Sequence, residues 1–160
     1  MNGQKNQKNI DTHYMQQALE LAQHANDLGE VPIGAVVVSA TGEILGQGFN
    51  QTETKKCQDC HAEINAIRAA CHTIGDWRLE GCIMYVTLEP CLMCFGCIDL
   101  SRIERLVYGA ESPLFGYHQA RESLIHISKH VKNITFGVCK DESEALLKRF
   151  FQGKRTLTSA

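Results

Sequence analysis

The chain has 160 residues, of which 44% are hydrophobic and 21% charged, with a formal net charge of −2. This length suits one domain that buries most of its apolar surface. The charge balance excludes a whole-molecule attraction to nucleic acid, and no run approaches the roughly 18 uninterrupted apolar residues of a membrane span.

The start, Met1 to Asp11, is polar and rich in Asn, Gln and Lys. It lacks the apolar core of an export signal, reads as a disordered lead-in, and points to the cytoplasm. Tyr14, Ala18, Leu21, Ala22, Ala25 and Leu28 then recur at helical spacing, with Asp11 or Thr12 as N-cap and Gly29 as the stop. The β-branched run Ile33 to Val38 turns at Thr41-Gly42 into Ile44 to Phe49, which predicts a hairpin. A polar loop, Asn50 to Asp59, delivers the chain to His61. There a second helix begins, carrying Ile64, Ile67, Arg68 and Cys71 on one side and ending at Gly75-Asp76. Ile83 to Thr87 is a third strand. Pro90 suits the first turn of a short helix toward Leu100, because its fixed φ and missing N–H fit there. Leu106 to Tyr108 and Ile134 to Val138 are the remaining strands, with a helix expected over Glu122 to His130 between them. A last helix, Ser143 to Phe151, buries Ala145, Leu146 and Phe150. This order predicts an α/β fold, a mixed five-stranded sheet covered by helices, in one domain spanning Thr12 to Arg155.

Eight cysteines are unevenly distributed. Cys57, Cys60, Cys91, Cys94 and Cys97 fall in two clusters, a pattern of metal ligation or redox chemistry rather than of a disulfide framework. Cys71, Cys82 and Cys139 stand among apolar neighbours and read as small buried hydrophobes. The most informative pattern is Pro90-Cys91-Leu92-Met93-Cys94, preceded thirty residues upstream by His61-Ala62-Glu63. An imidazole and two thiolates make a three-donor set that leaves the fourth tetrahedral position of Zn²⁺ open. Zinc in such a site lowers the pKa of a water from about 16 to about 7, and Glu63 stands where it could move protons. Placing both elements at helix starts favours thiolates, since a helix N-terminus carries about half a positive charge.

Two other arrangements use the same residues. Cys57, Cys60, Cys91 and Cys94 could form a closed zinc ribbon, and Cys91, Cys94 and Cys97 could hold an iron–sulfur cluster. Neither explains why His61 and Glu63 open a helix. Cys60 and Cys97, each near a ligand position, read as packing residues.

The pairing of H-x-E with P-C-x-x-C is the signature of zinc nucleobase deaminases. Longer stretches extend the likeness: Val31-Pro32-Ile33-Gly34-Ala35, Gly48-Phe49-Asn50, Gly75 to Gly81, Tyr85 to Cys91, Ser101-Arg102-Ile103 and Val107-Tyr108-Gly109-Ala110. Through them the chain resembles the bacterial tRNA wobble-adenosine deaminases, from about Tyr14 to Ala110 and again at Phe150-Phe151. The resemblance implies a cytidine-deaminase-like α/β/α sandwich, a homodimer, and conversion of adenosine to inosine in the tRNA anticodon loop. It also implies that His61, Cys91 and Cys94 bind zinc and that Glu63 is the proton shuttle. Asn50 would hydrogen-bond the base, Pro32 and Ile33 would wall the pocket, and Ala62 would join the substrate-binding positions. Two segments depart from the family. Cys57-Gln58-Asp59-Cys60 replaces Asp-Pro-Thr-Ala, and Ser112 replaces an Asp ahead of Pro113-Leu114-Phe115-Gly116-Tyr117-His118.

Three functions compete on this basis. The first is hydrolytic deamination of a tRNA adenosine, with the basic run Lys148, Arg149, Lys154 and Arg155 as a candidate phosphate contact. The second is deamination of a free base such as guanine or cytosine. The third is a non-catalytic RNA-binding module, against which Glu63 argues.

Overall fold

The computed structural model describes residues 2–120 and 128–158. Helix α1 (Asn2–Asp27) leads into strands β1 (Gly34–Val38) and β2 (Ile44–Phe49), a short α2 (Thr52–Lys55) and α3 (Ala62–Ile74). Then follow β3 (Ile83–Leu88), α4 (Leu92–Leu100), β4 (Arg105–Ala110), a 3₁₀ turn (Tyr117–Ala120), β5 (Asn133–Phe136) and α5 (Lys140–Thr158). Among the described residues the strands form a mixed five-stranded sheet in the order β2-β1-β3-β4-β5. β1 runs antiparallel to both β2 and β3, whereas β3, β4 and β5 are parallel.

Alternation along the strands assigns the two faces. Val36, Val38, Tyr85 and Val107 pack with Met15 and Ala18 of α1. Ala35, Val37, Met84, Val86 and Leu106 pack with Ala62, Ala66 and Ala70 of α3 and with Phe95 and Ile98 of α4. Helix α5 packs beside α1 and against β4, which completes the three-layer α/β/α sandwich. Because β3 and β4 are parallel, their carboxyl ends lie side by side, where an open α/β sheet offers a crevice.

The seam between α3 and the hairpin is unusually close. A Cβ at Gly46 would overlap the backbone of Ala66 and Ala70, and one at Gly48 that of Ala62 and Ala66. Two glycines on alternate β2 positions and alanines every fourth residue on α3 therefore let helix and strand touch backbone to backbone. This contact sets the height of the first turn of α3, which carries Glu63.

The polar lead-in departs from expectation. Residues 2–11 are the first turns of α1 rather than a disordered segment, so neither Asp11 nor Thr12 is an N-cap. Gln, Lys and Asn tolerate an exposed helix, and Asp11 ties it down from within. Its carboxylate is 5% exposed and accepts hydrogen bonds from Arg105 Nη1 (2.8 Å), Arg105 Nη2 (2.6 Å), Tyr85 Oη (3.0 Å) and Gln7 Nε2 (3.0 Å).

Other boundaries differ by smaller amounts. Pro90 precedes the cap of α4 instead of opening the helix, because Cys91 takes the N-cap position in extended conformation. β4 continues to Ala110 along its parallel pairing with β3. β5 stops at Phe136, since Gly137 (φ 83°) and Cys139 (φ 52°) turn the chain into α5. In α5 Leu146 is buried, while Ala145 and Phe150 are half-buried. α2 forms inside the expected polar loop because the Glu30 carboxylate accepts the N–H groups of Glu53 (3.1 Å) and Thr54 (2.6 Å). The helix expected over Glu122 to His130 falls mostly on residues 121–127, outside the described residues, and Ser128 to His130 are not helical.

Burial alone would raise the Asp11 carboxyl. The bonds from Arg105, Gln7 and Tyr85, with the guanidinium charge, outweigh it and hold the group below the usual carboxylate range. A folded pKa below the unfolded one stabilises the protein fully above the ordinary carboxylate pKa. That contribution fades as pH falls through the lowered value. Asp11→Ala leaves the Arg105 guanidinium, 17% exposed, without its partner. The expected loss is about 3–5 kcal/mol, read as a lower denaturation midpoint at neutral pH, with a smaller difference from the parent in acid.

Candidate metal and active site

His61 is the N-cap of α3, with φ −71° and ψ 156°, and makes no capping bond with its side chain. Cys91 is the N-cap of α4, with φ −72° and ψ 171°, and is likewise not capping. Both side chains are therefore free to turn toward the gap between the two helix starts. His61 Nδ1 lies 3.7 Å from Cys91 Sγ and 3.4 Å from Cys94 Sγ. The three donor atoms all fall within 4.8 Å of one another.

These spacings can be tested against a zinc ion. Zn–S near 2.3 Å and Zn–N near 2.05 Å at a tetrahedral angle place nitrogen and sulfur about 3.5 Å apart. The observed pair brackets that value, so His61 Nδ1 stands at a zinc-compatible spacing from both sulfurs. A ribbon is not what the chain builds: Cys57 and Cys60 converge with Asp59 in a separate group, away from Cys91 and Cys94. Cys97, on α4, is half-buried against the core and does not join the His61 group, so no cluster of three cysteines forms among the described residues. Cys60 is buried and Cys82 too, while Cys71 and Cys139 pack partly covered against the two cores.

The electrostatics are those of a group competing for positive charge. The hydrogen bond from Cys94 holds the Cys91 thiol down to about 4, with His61 helping. The same bond, with burial, pushes the Cys94 thiol far up. One proton thus stands between two sulfurs that a divalent cation would hold as thiolates. The hydrogen bond to Cys91 raises His61, against the opposing effect of burial. Glu63, in the first turn of α3, is 4% exposed. Burial pushes its carboxyl up to about 7, with nearby His61 opposing. A carboxyl poised near neutrality can both take up and release a proton.

A cavity of about 730 Å³ opens over these residues, with His61, Glu63 and Cys91 on its floor. Val31, Ile33, Leu88 and Met93 give it apolar walls. Ile33 thus lines the cavity, whereas Pro32 is buried beside it and Ala62 lies in the core seam under α3. Asn50 is 5% exposed; its Nδ2 donates to Glu30 Oε2 (3.2 Å) and its Oδ1 accepts from Thr52 Oγ1 (2.8 Å).

Several wall residues carry no sequence signal of a role. Glu89, quoted only as part of a motif, has a fully buried side chain that accepts from Ser112 N (3.0 Å), His118 N (3.1 Å) and His118 Nδ1 (2.7 Å). A Cβ at Gly116 would overlap the Glu89 carboxylate, so only glycine lets the segment lie this close. In this way Glu89 folds the divergent stretch over the cavity, where Ser112, Pro113, Leu114 and Phe115 form one rim. Leu147 and Phe151 of α5 form another part of the wall. No local pattern announces either contact. The only signal was that Glu89 stands between a strand and a ligand helix.

Comparison with known proteins agrees with this geometry. The family model of the cytidine and deoxycytidylate deaminase zinc-binding region matches residues 8–110. The tRNA-specific adenosine deaminase of Bacillus subtilis (strain 168) is 42% identical over 147 residues, 91% of each chain. That of Haemophilus influenzae is 40% identical over 157 residues, covering 97% of this chain and 91% of the relative. A solved structure from work on A-to-I editing by tRNA:A34 deaminases superimposes with TM-score 0.80 at 40% identity, covering 85% of this chain and 99% of that one. A guanine deaminase from Bacillus subtilis is more distant, with TM-score 0.60 at 35% identity over 73% of this chain and 76% of its own. The three-layer fold, the convergent His and Cys donors and a match over most of the chain establish that this protein belongs to the zinc-binding cytidine and deoxycytidylate deaminase family.

Proposed function

We propose that the protein is a zinc-dependent hydrolase that converts adenosine to inosine at the wobble position of tRNA. The observation that carries this reading is the buried Glu63 carboxyl beside the three donors on the floor of an apolar cavity. The cavity volume falls within the roughly 300–1,000 Å³ usual for small-molecule sites. His61, Cys91 and Cys94 would hold the zinc, which when bound supplies acidification of the attacking water. Ile33, with Val31 and Leu88, presents flat apolar surface suited to an aromatic base. Ala62 belongs to the core against which Ile33 packs, and on the likeness to the tRNA deaminases we assign Asn50 to the base edge, although its amide is buried outside the cavity lining and engaged by Glu30 and Thr52. Glu63 would take a proton from the water and give it to the ring nitrogen next to the amino-bearing carbon, then take the remaining proton of the added oxygen and give it to the amine, which leaves as ammonia. A group held near neutrality is needed for both directions of transfer.

A tRNA substrate is favoured by the position of α5. Its Leu147 and Phe151 line the cavity, and at about 3.6 residues per turn the exposed Lys148, Lys154 and Arg155 fall toward that side of the helix, whereas Arg149 falls on the opposite face. An anticodon loop offers an unpaired base that can be splayed into a pocket with its phosphates near such a surface. Exposed Leu92 and Leu100 on α4 support assembly as a homodimer. No helix among the described residues is long and apolar enough to cross a membrane. With tRNA as substrate, we place the enzyme in the cytoplasm.

Glu63→Gln keeps size and hydrogen bonding but cannot carry the proton. Zinc content and tRNA binding are expected to stay near normal, while single-turnover inosine formation falls by about 10²–10⁴-fold. Parental rates in this variant would remove Glu63 from the mechanism.

The substrate assignment is tested by inosine analysis of tRNA incubated with purified protein, alongside ammonia release from free guanine, cytosine and adenine. Inosine at the first anticodon position and negligible ammonia from free bases are expected. Rapid release from a free base with no inosine in tRNA would establish the free-base reading instead. Neutralising Lys148, Arg149, Lys154 and Arg155 together should also flatten the salt dependence of tRNA binding, by about 0.7 in log–log slope per lost phosphate contact.

A further inference from the structure

Of the two thiol clusters in the chain, the catalytic centre uses one. The other, Cys57-Gln58-Asp59-Cys60, is where the chain departs from the family pattern just ahead of His61. Its donors are also assembled. Cys57 Sγ, Cys60 Sγ and a carboxylate oxygen of Asp59 lie within 4.8 Å of one another. The backbone holds them in a tight turn, with Cys60 N–H donating to the Cys57 carbonyl (3.2 Å). Two further bonds fix the Cys60 carbonyl, from Gln51 N (2.9 Å) and Asn65 Nδ2 (3.2 Å).

The two oxygens of Asp59 have separate tasks. Oδ2 is held in an ion pair by Arg68 of α3, while Oδ1 accepts the thiol proton of Cys57 at 2.7 Å. The carboxylate is thereby aimed at the sulfur by a fixed partner on the helix, as second-shell groups orient metal ligands. Replacing that shared proton by a cation leaves Arg68 in place and brings two sulfurs and one oxygen around a common centre. Cys57 is exposed and gives the site a path from solvent, whereas Cys60 is buried and anchors it.

We propose that the Cys57–Cys60 turn is a second metal site, for a thiophilic divalent cation of the zinc class, distinct from the centre at His61, Cys91 and Cys94. On binding, both thiols release their protons to solvent, and Asp59 Oδ1 supplies the third donor. The site is open at its fourth position and lies at the protein surface, so its occupancy follows the free metal concentration more closely than that of the buried centre. Gln58, between the two cysteines, lines the catalytic cavity. A cation at the turn therefore fixes one wall of the cavity, one peptide bond away from the ligand His61. The site stands on these donors alone and does not depend on the substrate assignment.

The test uses the full chain loaded with one equivalent of zinc, kept reduced with a phosphine, and titrated with cadmium. Thiolate-to-cadmium charge-transfer absorption and bound metal are read in parallel for the parent and for Cys57→Ser, whose exposed position leaves the fold intact. The parent is expected to take up one more cadmium per chain than the variant, with the first zinc retained in both. An Asp59→Ala protein, keeping both thiols, should bind that additional cadmium more weakly than the parent. Equal uptake by parent and Cys57→Ser, or uptake only in exchange for the resident zinc, would overturn the proposal.

Discussion

The site depends on how closely α3 can approach the sheet. Gly46 and Gly48 on β2 face Ala62, Ala66 and Ala70 on α3, and any side chain at the glycines would strike helix backbone. That approach sinks the first turn of α3 deep enough to bury Glu63, while His61, one residue ahead of the helix, stays on the cavity side. From the other direction the parallel pair β3 and β4 ends beside the same gap, and α4 starts there with Cys91 and Cys94. The centre is the meeting point of two helix starts whose positions are set by packing. The cost of burying a carboxyl is met in the core rather than at the site.

This origin explains the electrostatic character of the centre. Burial raises Glu63 into the neutral range, and the same enclosure forces Cys91 and Cys94 to share a proton. Both departures describe a pocket with too few positive charges for its acids. A divalent cation held by His61, Cys91 and Cys94 would stabilise both sulfurs as thiolates and leave Glu63 as the neighbouring proton carrier. Glu89 shows how the surroundings avoid the same frustration, since backbone and imidazole N–H groups from the 112–118 segment meet its buried carboxylate.

What was legible in the sequence follows from range. His61, Glu63, Cys91 and Cys94 could be read because each pair sits within one helical turn, where spacing alone decides which side chains share a face. The hairpin, α3 and β3 were equally visible, since glycines and hydrophobic periodicity mark them locally. The helical start leaves no local signal because its anchor is remote: Asp11 is held by Arg105, which lies far along the chain on β4. α2 was hidden for the same reason, its first N–H groups being met by Glu30 from before the hairpin. Leu147 and Phe151 reach the cavity only through the packing of α5 across the sheet. Tertiary partners of this kind leave no periodic trace.

In the proposed active state one zinc ion would sit among two sulfurs and one imidazole with a position left for water. Zinc-edge X-ray absorption on the protein loaded with a single equivalent reads that donor set directly. The account predicts two sulfur neighbours at about 2.3 Å and two nitrogen or oxygen neighbours at about 2.0–2.1 Å. A shell of four sulfurs, drawing in Cys57 and Cys60, would contradict it.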